Sequence, residues 1–388
     1  VFREAFDRCA AVANQELDVP LEQILFSGDD RALINETRYT QPALFAVSYA
    51  QAQRFLSWGI QPEAVAGHSI GEYVAATLAG VMSAEDAMRI VCLRGALMQS
   101  MEPGSMLAVM IGKAEVEALI ADHSDIDLAA ANSSVLTVVA GPDAAIEKLA
   151  AELDSKNVRN KALRTSHAFH SAMMEPMLDE FTAAVAKVQL HAPQIPYPSN
   201  VSGTWISDAQ ATSAEYYARQ IRSAVSFADN LDTILEQLGS DSTLFLEMGP
   251  GRTLTTFASD RIGASQSLAL PTLPSPKDEE ASDRHTLHSL GKVWSSGFDL
   301  DWEKVQPAGD WRKVSLPAYQ WNEKTYRVEA PVAQSITGAN SGGTVFHTPI
   351  WKQSFSGVKG EALEISGTWL VFADHVKSSE FRLVDGDK

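Results

Sequence analysis

The spacing of apolar residues predicts a chain that begins with helices and then alternates between helices and short strands. Residues 1–59 show the helical spacing, and a long amphipathic helix begins at Gln41. A short apolar run at 63–66 predicts a strand, and an Ala-rich helix follows Gly71. Ser83, followed by the acidic residues Glu85 and Asp86, predicts the start of a helix over 84–101. This alternation is typical of the α/β class.

A different pattern occupies the middle of the chain. Its apolar residues predict, in order, strand, helix, strand, strand, helix and strand, at 106–111, 113–123, 126–131, 136–140, 143–156 and 159–163. This βαββαβ order is the ferredoxin-like pattern. We therefore predict a small ferredoxin-like subdomain, residues 105–164, inserted in a larger α/β body made of residues 1–104 and 165–265.

The body is expected to resume with a long helix over 171–188 and a Pro-rich strand region over 192–199. A further strand is predicted at 244–247. Three prolines with acidic residues and serines at 271–283 indicate a surface linker, and a short amphipathic helix is predicted after it, at 287–298. We assign 266–330 to this linker and 331–388 to a flexible joint followed by the truncated start of another domain, with a strand at 367–373.

Composition limits the functions that are open to the chain. It has 388 residues, 45% of them hydrophobic and 21% charged, and a formal net charge of −18. Such a balance is ordinary for a globular protein, and the negative charge argues against nucleic acid as a partner. The histidines show no zinc-type spacing, so neither a metal nor another cofactor is expected.

The cellular location is predicted from what the sequence lacks. No apolar run approaches the ~20 residues needed to cross a bilayer, and no signal peptide opens the chain. The two cysteines, Cys9 and Cys92, lie in apolar helical patterns and are interpreted as buried thiols. These features predict a cytoplasmic protein without a membrane partner. The chain opens inside a helical pattern without Met, which we interpret as a piece of a longer polypeptide.

The strongest chemical motif is Gly67-His68-Ser69-Ile70-Gly71, which fits the G-x-S-x-G nucleophile elbow. A serine on a tight turn between strand and helix needs small residues two positions before and after it, because the flanking backbone passes close by. The turn places the serine Oγ at a helix N-terminus, where the amide of Ile70 can stabilise an oxyanion. A chance match of common residues is the alternative.

Arg94 is a second candidate because it falls inside an apolar helical stripe, four residues after Ile90 and three before Leu97. Arginine is rarely buried without a partner. The side chain could pair with a nearby acid or extend to the surface. Alternatively, its planar fork could bind a substrate carboxylate through two hydrogen bonds.

Several motifs together resemble the malonyl-CoA:acyl-carrier-protein transacylase family, which includes the acyltransferase domains of polyketide and fatty-acid synthases. The elbow, extended by Glu72, is similar to the family's GHSxGE signature. The other matching positions are Arg94, Gly104-Ser105-Met106, Asn132, His167-Ala168-Phe169-His170-Ser171 and Glu247-Met248-Gly249-Pro250-Gly251. The resemblance covers about residues 1–264, most closely the malonyl-type domains of modular type I polyketide synthases, and implies an α/β-hydrolase-like body.

The resemblance also implies roles for individual residues. Ser69 would carry the acyl group, and His170 would be its general base, held by a backbone carbonyl that we assign to Gln220. Arg94 would hold the free carboxylate of malonate. His68, His167 and Phe169 would bind substrate, and a Phe directly before the base is typical of members that select malonyl over methylmalonyl. For His167 a purely structural role is equally open.

The implied reaction moves malonyl from malonyl-CoA to Ser69 and then to the phosphopantetheine thiol of an acyl carrier protein. Leu316-Pro317-Ala318-Tyr319-Gln320-Trp321 resembles the end of the linker that follows such domains. Residues 348–351 and 367–374 resemble the start of a reductase region, so adjacent ketosynthase and reductase-region domains are expected partners. Family members begin with a GQGSQ-like loop that adds an oxyanion donor. This chain starts after that point, so the isolated polypeptide is expected to be inactive and its parent active.

Two other functions are compatible with the elbow. An acyl hydrolase or editing thioesterase would use the same serine and histidine but release free acid, and Arg94 argues against it. The second alternative is a scaffold fragment that only docks neighbouring domains, which the missing first strand and the long tail of this chain keep open.

Overall fold

The computed structural model describes residues 1–28, 30–239, 243–306, 309, 314–321 and 324. The chain divides into two units, Val1–Arg312 and Lys313–Lys388. In the second unit the described residues have no regular secondary structure, and Leu316, Tyr319 and Trp321 are exposed. The flexible joint predicted from residue 331 and the features predicted at 348–351 and 367–374 lie outside the described residues.

The first unit opens with helices, as predicted. They are α1 (Phe2–Glu16), a π-helical turn (Gln23–Ser27), a 3₁₀ turn (Arg31–Asn35), α2 (Thr37–Ser57), α3 (Gly71–Leu78) and α4 (Ala84–Gln99). The predicted start of α4 is confirmed, because the Ser83 Oγ accepts a hydrogen bond from the Asp86 N–H at 3.0 Å. The main core cluster draws buried residues from α1 to α4, including Cys9 and Cys92, which are free thiols.

The middle of the chain forms a four-stranded antiparallel sheet with two helices. Its elements follow in the order βαββαβ: β1 (Ser105–Val109), α5 (Lys113–Ile120), β2 (Asp127–Ser133), β3 (Leu136–Gly141), α6 (Asp143–Ser155) and β4 (Asn160–Ala162). The strands are ordered β2-β3-β1-β4 across the sheet. Alternate residues of β1 face opposite sides: Leu107 packs with α5 and α6, whereas Ala108 joins a second cluster with Phe227 and Phe257.

The remaining elements of this unit include a short parallel strand pair. They are a 3₁₀ turn (Ala172–Met177), α7 (Leu178–Val185), α8 (Asp208–Ala211), α9 (Ala214–Arg222), α10 (Phe227–Leu238), β5 (Leu244–Glu247), α11 (Thr253–Ile262), β6 (Leu268–Pro271), α12 (Ser282–Ser295) and α13 (Trp302–Val305). β5 and β6 pair in parallel. The mixed α/β class is therefore confirmed, and the α/β-hydrolase-like assignment of the body stays a prediction.

Some predicted elements differ in the structure, and proline explains most of the differences. The helix predicted over 171–188 begins as the 3₁₀ turn, because Pro176 has no N–H to donate to an α-helical hydrogen bond. The regions 63–66 and 192–199 are not regular strands. They share one backbone hydrogen bond, from the Val65 N–H to the Pro196 carbonyl at 3.1 Å, because a Pro-rich segment cannot donate along a ladder.

The boundary predicted at residue 265 falls before a strand of the body. β6 begins at Leu268 and pairs with β5, so the segment predicted as linker starts with a structural strand. The helix predicted at 287–298 begins earlier, at Ser282. Among the described helices, none is both long and apolar enough to cross a bilayer.

Candidate active site

The predicted nucleophile, Ser69, lies on a turn with an unusual backbone. Its φ is +52°, in the left-handed region that residues with a side chain seldom adopt. The turn leads into α3, whose N-cap is Ile70. A Cβ added at Gly67 would lie 1.9 Å from the carbonyl carbon of Gly71, so this glycine is required sterically. A Cβ added at Gly71 would meet nothing within 4 Å, so the expectation of a second required glycine is wrong.

The structure brings Ser69 and His170 together. The Ser69 Oγ lies 2.7 Å from His170 Nε2, and His170 Nδ1 lies 2.9 Å from the carbonyl oxygen of Ser223. Because a carbonyl can only accept, Nδ1 carries the proton and Nε2 is the acceptor for the Ser69 hydroxyl. This tautomer is the one a general base for Ser69 requires.

The Gln220 carbonyl, which the sequence predicts as the group that holds His170, favours the protonated ring, but the direct hydrogen bond of His170 Nδ1 goes to another residue. The hydrogen bond goes to Ser223, the C-cap of α9. Carbonyls at the end of a helix have no partner within the helix and are free to accept from a side chain. Gln220 has a different contact: its Nε2 donates to the Ser69 carbonyl at 2.8 Å, on the far side of the turn.

His170 is neutral at physiological pH. Burial, and then the positive charge of Arg94, lower the pKa of His170 to about 3, although the carbonyls of Ser223 and Gln220 oppose this shift. Because the pKa is depressed, the ring stays unprotonated from pH 7 down to well below 5. His170 can therefore accept the Ser69 proton across this whole range.

Arg94 is buried beside this pair, with 2% of its surface exposed, which excludes the alternative that its side chain extends to the surface. Its Nη1 donates to Gln41 Oε1 at 2.5 Å and its Nη2 to the Ser69 Oγ at 3.2 Å. The guanidinium also lies 5.5 Å from the Tyr73 ring centroid. Within the described residues no carboxylate lies within ion-pair distance of it, and Nε has no partner. Since burial disfavours a charge, an anionic ligand would be bound strongly here.

The amide of Ile70, predicted as an oxyanion donor, is suitably free. The N–H groups of Gly71 and Glu72 donate to the carbonyls of His68 and Ser69 in the turn. In the described part of the chain, no group accepts from the Ile70 N–H. This donor lies directly after the nucleophile, where a developing negative charge would be formed.

The remaining predicted binding residues fall into two groups. His68 is half-buried, with its Nε2 2.8 Å from Asn132 Oδ1 on β2. This ring therefore faces the four-stranded sheet of β1 to β4, which we call the small sheet. Phe169 is half-buried and packs against both the main core cluster and the second cluster, which contains Ala108, Phe227 and Phe257. His167 is buried and uses both ring nitrogens, with Ser166 Oγ at 2.7 Å and the Met101 carbonyl at 3.2 Å. These contacts favour the structural alternative for His167, whose ring lies 6.2 Å from the Phe169 ring, and a role in substrate binding stays a prediction.

Sequence reasoning missed Asn200. Its Oδ1 accepts from the Ser69 N–H at 2.7 Å, and its Nδ2 donates to the Gly67 carbonyl at 2.7 Å. In the sequence this asparagine stands between Pro198 and Gly203, where turn residues are expected and no chemistry is indicated. Only its position after folding gives it a role. Among the described residues there is no cluster of His, Cys, Asp and Glu that could hold a metal ion.

Comparison with known proteins gives a consistent result. Residues 1–274 match the acyl transferase domain family. A phenolphthiocerol/phthiocerol polyketide synthase of Mycobacterium tuberculosis is 36% identical over 345 residues, 88% of this chain and 23% of that protein. The spectinabilin polyketide synthase system protein NorB of Streptomyces orinoci is 36% identical over 353 residues, 88% of this chain and 16% of that protein. The chain thus spans less than a quarter of the length of these relatives.

Solved structures agree with the sequence relatives. The acyltransferase domain from the second module of the salinomycin polyketide synthase superposes with a TM-score of 0.72 at 36% identity, covering 79% of this chain and 70% of that one. The acyl transferase domain of ZmaA gives a TM-score of 0.75 at 31% identity, covering 82% of this chain and 74% of that one.

The asymmetry between the two elbow glycines generates a prediction. Gly67→Ala forces a Cβ into backbone that cannot move away cheaply, so we expect it to lower the free energy of unfolding by about 3 kcal/mol or more. Gly71→Ala, the matched control at the start of α3, should change stability by about 1 kcal/mol at most, on the stabilising side. Chemical denaturation of the two variants measures the difference. Equal losses in both would contradict the steric account of the turn.

Proposed function

The chain belongs to the acyl transferase domain family, and from that premise we propose that it transfers malonyl from malonyl-CoA to an acyl carrier protein through an ester on Ser69. The observation that carries the proposal is the buried Arg94, a cation with no ion-pair partner among the described residues, whose Nη2 lies 3.2 Å from the Ser69 Oγ. A malonyl group joined to Ser69 has its free carboxylate a few bonds from that oxygen. A buried arginine at this distance is suited to bind it.

The whole protein is proposed to be a polyketide synthase, as its relatives are. The acyl carrier protein with its phosphopantetheine arm, a ketosynthase and a reductase region would then be its partners. The chain spans a small share of those relatives, so these partners belong to the proposal and not to the described fold.

The first half-reaction uses the Ser69 and His170 pair. The Ser69 Oγ attacks the thioester carbonyl while His170 Nε2 takes the hydroxyl proton, and the Ile70 N–H faces the oxygen that becomes negative. When the carbon–sulfur bond breaks, the proton on His170 passes to the CoA sulfur. An oxygen ester on Ser69 replaces the thioester. The Ser223 carbonyl stabilises the imidazolium that exists between these two proton transfers.

The second half-reaction repeats these steps in the opposite direction. The phosphopantetheine thiol gives its proton to His170 Nε2 and attacks the ester carbonyl. The carbon–oxygen bond to Ser69 breaks, and the proton returns to the Ser69 oxygen. Water in place of the thiol would give the hydrolase reaction instead. Transfer and hydrolysis therefore share every protein group and differ in the acceptor.

The acyl-enzyme gives the direct test. In the parent protein, malonyl-CoA should add one malonyl group to Ser69, and Ser69→Ala should remove that addition because it deletes the hydroxyl that lies 2.7 Å from His170 Nε2. Intact-mass spectrometry after brief mixing measures it. Undiminished loading in Ser69→Ala would overturn the assignment. Release of free malonate without transfer to carrier protein would favour the hydrolase.

Removal of the cation should change acyl selectivity. Arg94→Ala is expected to slow malonyl transfer by roughly ten- to over a hundredfold, because a charge-assisted pair contributes about 1.5–3 kcal/mol. Acetyl transfer should be spared or improved. The exposed Arg89→Ala, on the same helix, is the matched control, since Arg89 pairs with Asp86 at the surface. An unchanged malonyl-to-acetyl preference in Arg94→Ala would assign Arg94 a structural role.

Phe169 is proposed to select malonyl over methylmalonyl. It directly precedes His170, and its ring should crowd the α-carbon of an ester on Ser69. An α-methyl group would overpack that space at a cost of about 1–3 kcal/mol, or roughly ten- to a hundredfold. Phe169→Ser should raise methylmalonyl loading at a lower overall rate.

Competition between the two CoA esters measures this preference. Phe26→Ser, at an exposed phenylalanine of the first unit, is the control. A preference for methylmalonyl in the unsubstituted protein would refute the proposal, and an unchanged ratio in Phe169→Ser would move selectivity to other residues.

A further inference from the structure

We infer that Asn200 is a positioning residue that aligns Ser69 with His170. Its side chain holds the turn at Ser69, and its main chain holds the segment that orients His170. The inference rests on the proposed acyl transfer for its biological meaning. Its evidence is geometric, and its test can be read without malonyl-CoA.

The side chain of Asn200 spans the left-handed turn. Its amide accepts from the N–H of Ser69 and donates to the carbonyl of Gly67, both at 2.7 Å. These two groups lie on either side of the residue that has a φ of +52°. Because Asn200 is 1% exposed, water cannot replace either bond at low cost. The turn is thus fixed by a side chain that is distant in sequence.

The main chain of Asn200 holds the segment that orients the base. Its carbonyl accepts from the Ser226 N–H at 2.8 Å, three residues after the Ser223 carbonyl that holds His170. On its other side this segment is paired with β2: the Val225 N–H donates to Ala129, and the Val225 carbonyl accepts from Ala131, both at 2.9 Å. The segment between α9 and α10 is therefore held between Asn200 and the small sheet.

Glu72 binds the main-chain N–H of Asn200. Its Oε2 accepts from the Asn200 N–H at 3.2 Å and from Gln220 Nε2 at 3.4 Å, and its Oε1 accepts from the Tyr216 hydroxyl. Burial raises the pKa of Glu72 to about 7, against the effect of these hydrogen bonds. Asn200 is consequently linked to the elbow at three residues, Gly67, Ser69 and Glu72.

One chemical consequence follows for the oxyanion. Since Asn200 Oδ1 occupies the Ser69 N–H, that amide is not available to a developing negative charge. Of the first two amides on this turn, the Ile70 N–H is the one that can donate. Asn200 thus uses the Ser69 N–H to hold the turn and leaves the Ile70 N–H to stabilise the oxyanion.

The experiment measures Ser69 reactivity with a fluorophosphonate in the parent protein. The Ser69 oxygen bonds to phosphorus, fluoride leaves, and the hydroxyl proton passes to His170, so no CoA ester is needed. Asn200→Ala should lower the labelling rate constant by about 100-fold, since a displacement near 1 Å has this effect on aligned groups. Asn14→Ala is the matched control: its amide also accepts from a backbone N–H, of Leu21 at 2.8 Å, and bonds Glu22 at 2.9 Å.

Asn200→Asp adds a readout that a loss of stability would not give. Ionised, the new carboxylate has no proton for the Gly67 carbonyl and should slow labelling as the alanine does. Protonated, its O–H replaces the amide donor. Burial raises the pKa of a carboxyl group, so the new side chain should gain its proton as the pH falls from 8 to 5.5. The labelling rate relative to the unsubstituted protein should therefore rise by about tenfold over this range. Of the groups that face Asn200 and the Ser69 and His170 pair, Glu72 titrates in this range, with a pKa raised to about 7, and the ratio to the unsubstituted protein is taken to account for it. The pKa values of His68 and His170 are lowered and that of Tyr216 is raised by burial.

Rates are expressed per folded molecule, from near-ultraviolet circular dichroism at each pH. Labelling within twofold of the unsubstituted protein in both Asn200 variants would overturn the inference. An equal loss in Asn14→Ala, a flat pH ratio in Asn200→Asp, or failure of both variants to fold would also overturn it, by assigning Asn200 to stability alone. Failure of the proposed function is separate: the unsubstituted protein would then label normally but not accept malonyl from malonyl-CoA.

Discussion

The left-handed turn at Ser69 is the constraint on which the rest of the site depends. A residue with a side chain is held at a φ of +52° because Gly67 lets the start of α3 pass within contact distance. Such a conformation persists only where its surroundings determine it. Here the surroundings are the buried amides of Asn200 and Gln220. The turn directs the Ser69 Oγ at His170 and leaves the Ile70 amide free beside it.

Burial of Arg94 has consequences beyond binding a carboxylate. Its charge is the second cause, after burial, of the low pKa of His170. The same cation that would hold a substrate carboxylate thus keeps the base neutral. An anion on Arg94 would offset that charge, so a bound carboxylate and the basicity of His170 are coupled through one side chain.

The small sheet contributes to the site as well as to the fold. β2 supplies Asn132 to His68 and pairs with Val225, next to the segment whose carbonyl holds His170. Arg222 strengthens this junction with ion pairs to Asp127 on β2 and to Glu175 after the base. The Ser69 and His170 pair is therefore held by elements from both the body and the four-stranded sheet of the first unit.

The sequence by itself determined the chemistry and most of the local structure. The elbow, His170, Arg94 and the βαββαβ order could be predicted, because each depends on residue type and on spacing within a short segment. Tertiary structure decided which distant groups serve them. Ser223 rather than Gln220 accepts the direct hydrogen bond of His170, both ring nitrogens of His167 bond within the fold, and Asn200 spans the turn at Ser69. Carbonyls and amides like these occur throughout the chain, and sequence spacing carries no signal for them. They acquire a role when folding brings residues some 50 to 130 positions apart within hydrogen-bond distance and excludes the water that would otherwise bond them.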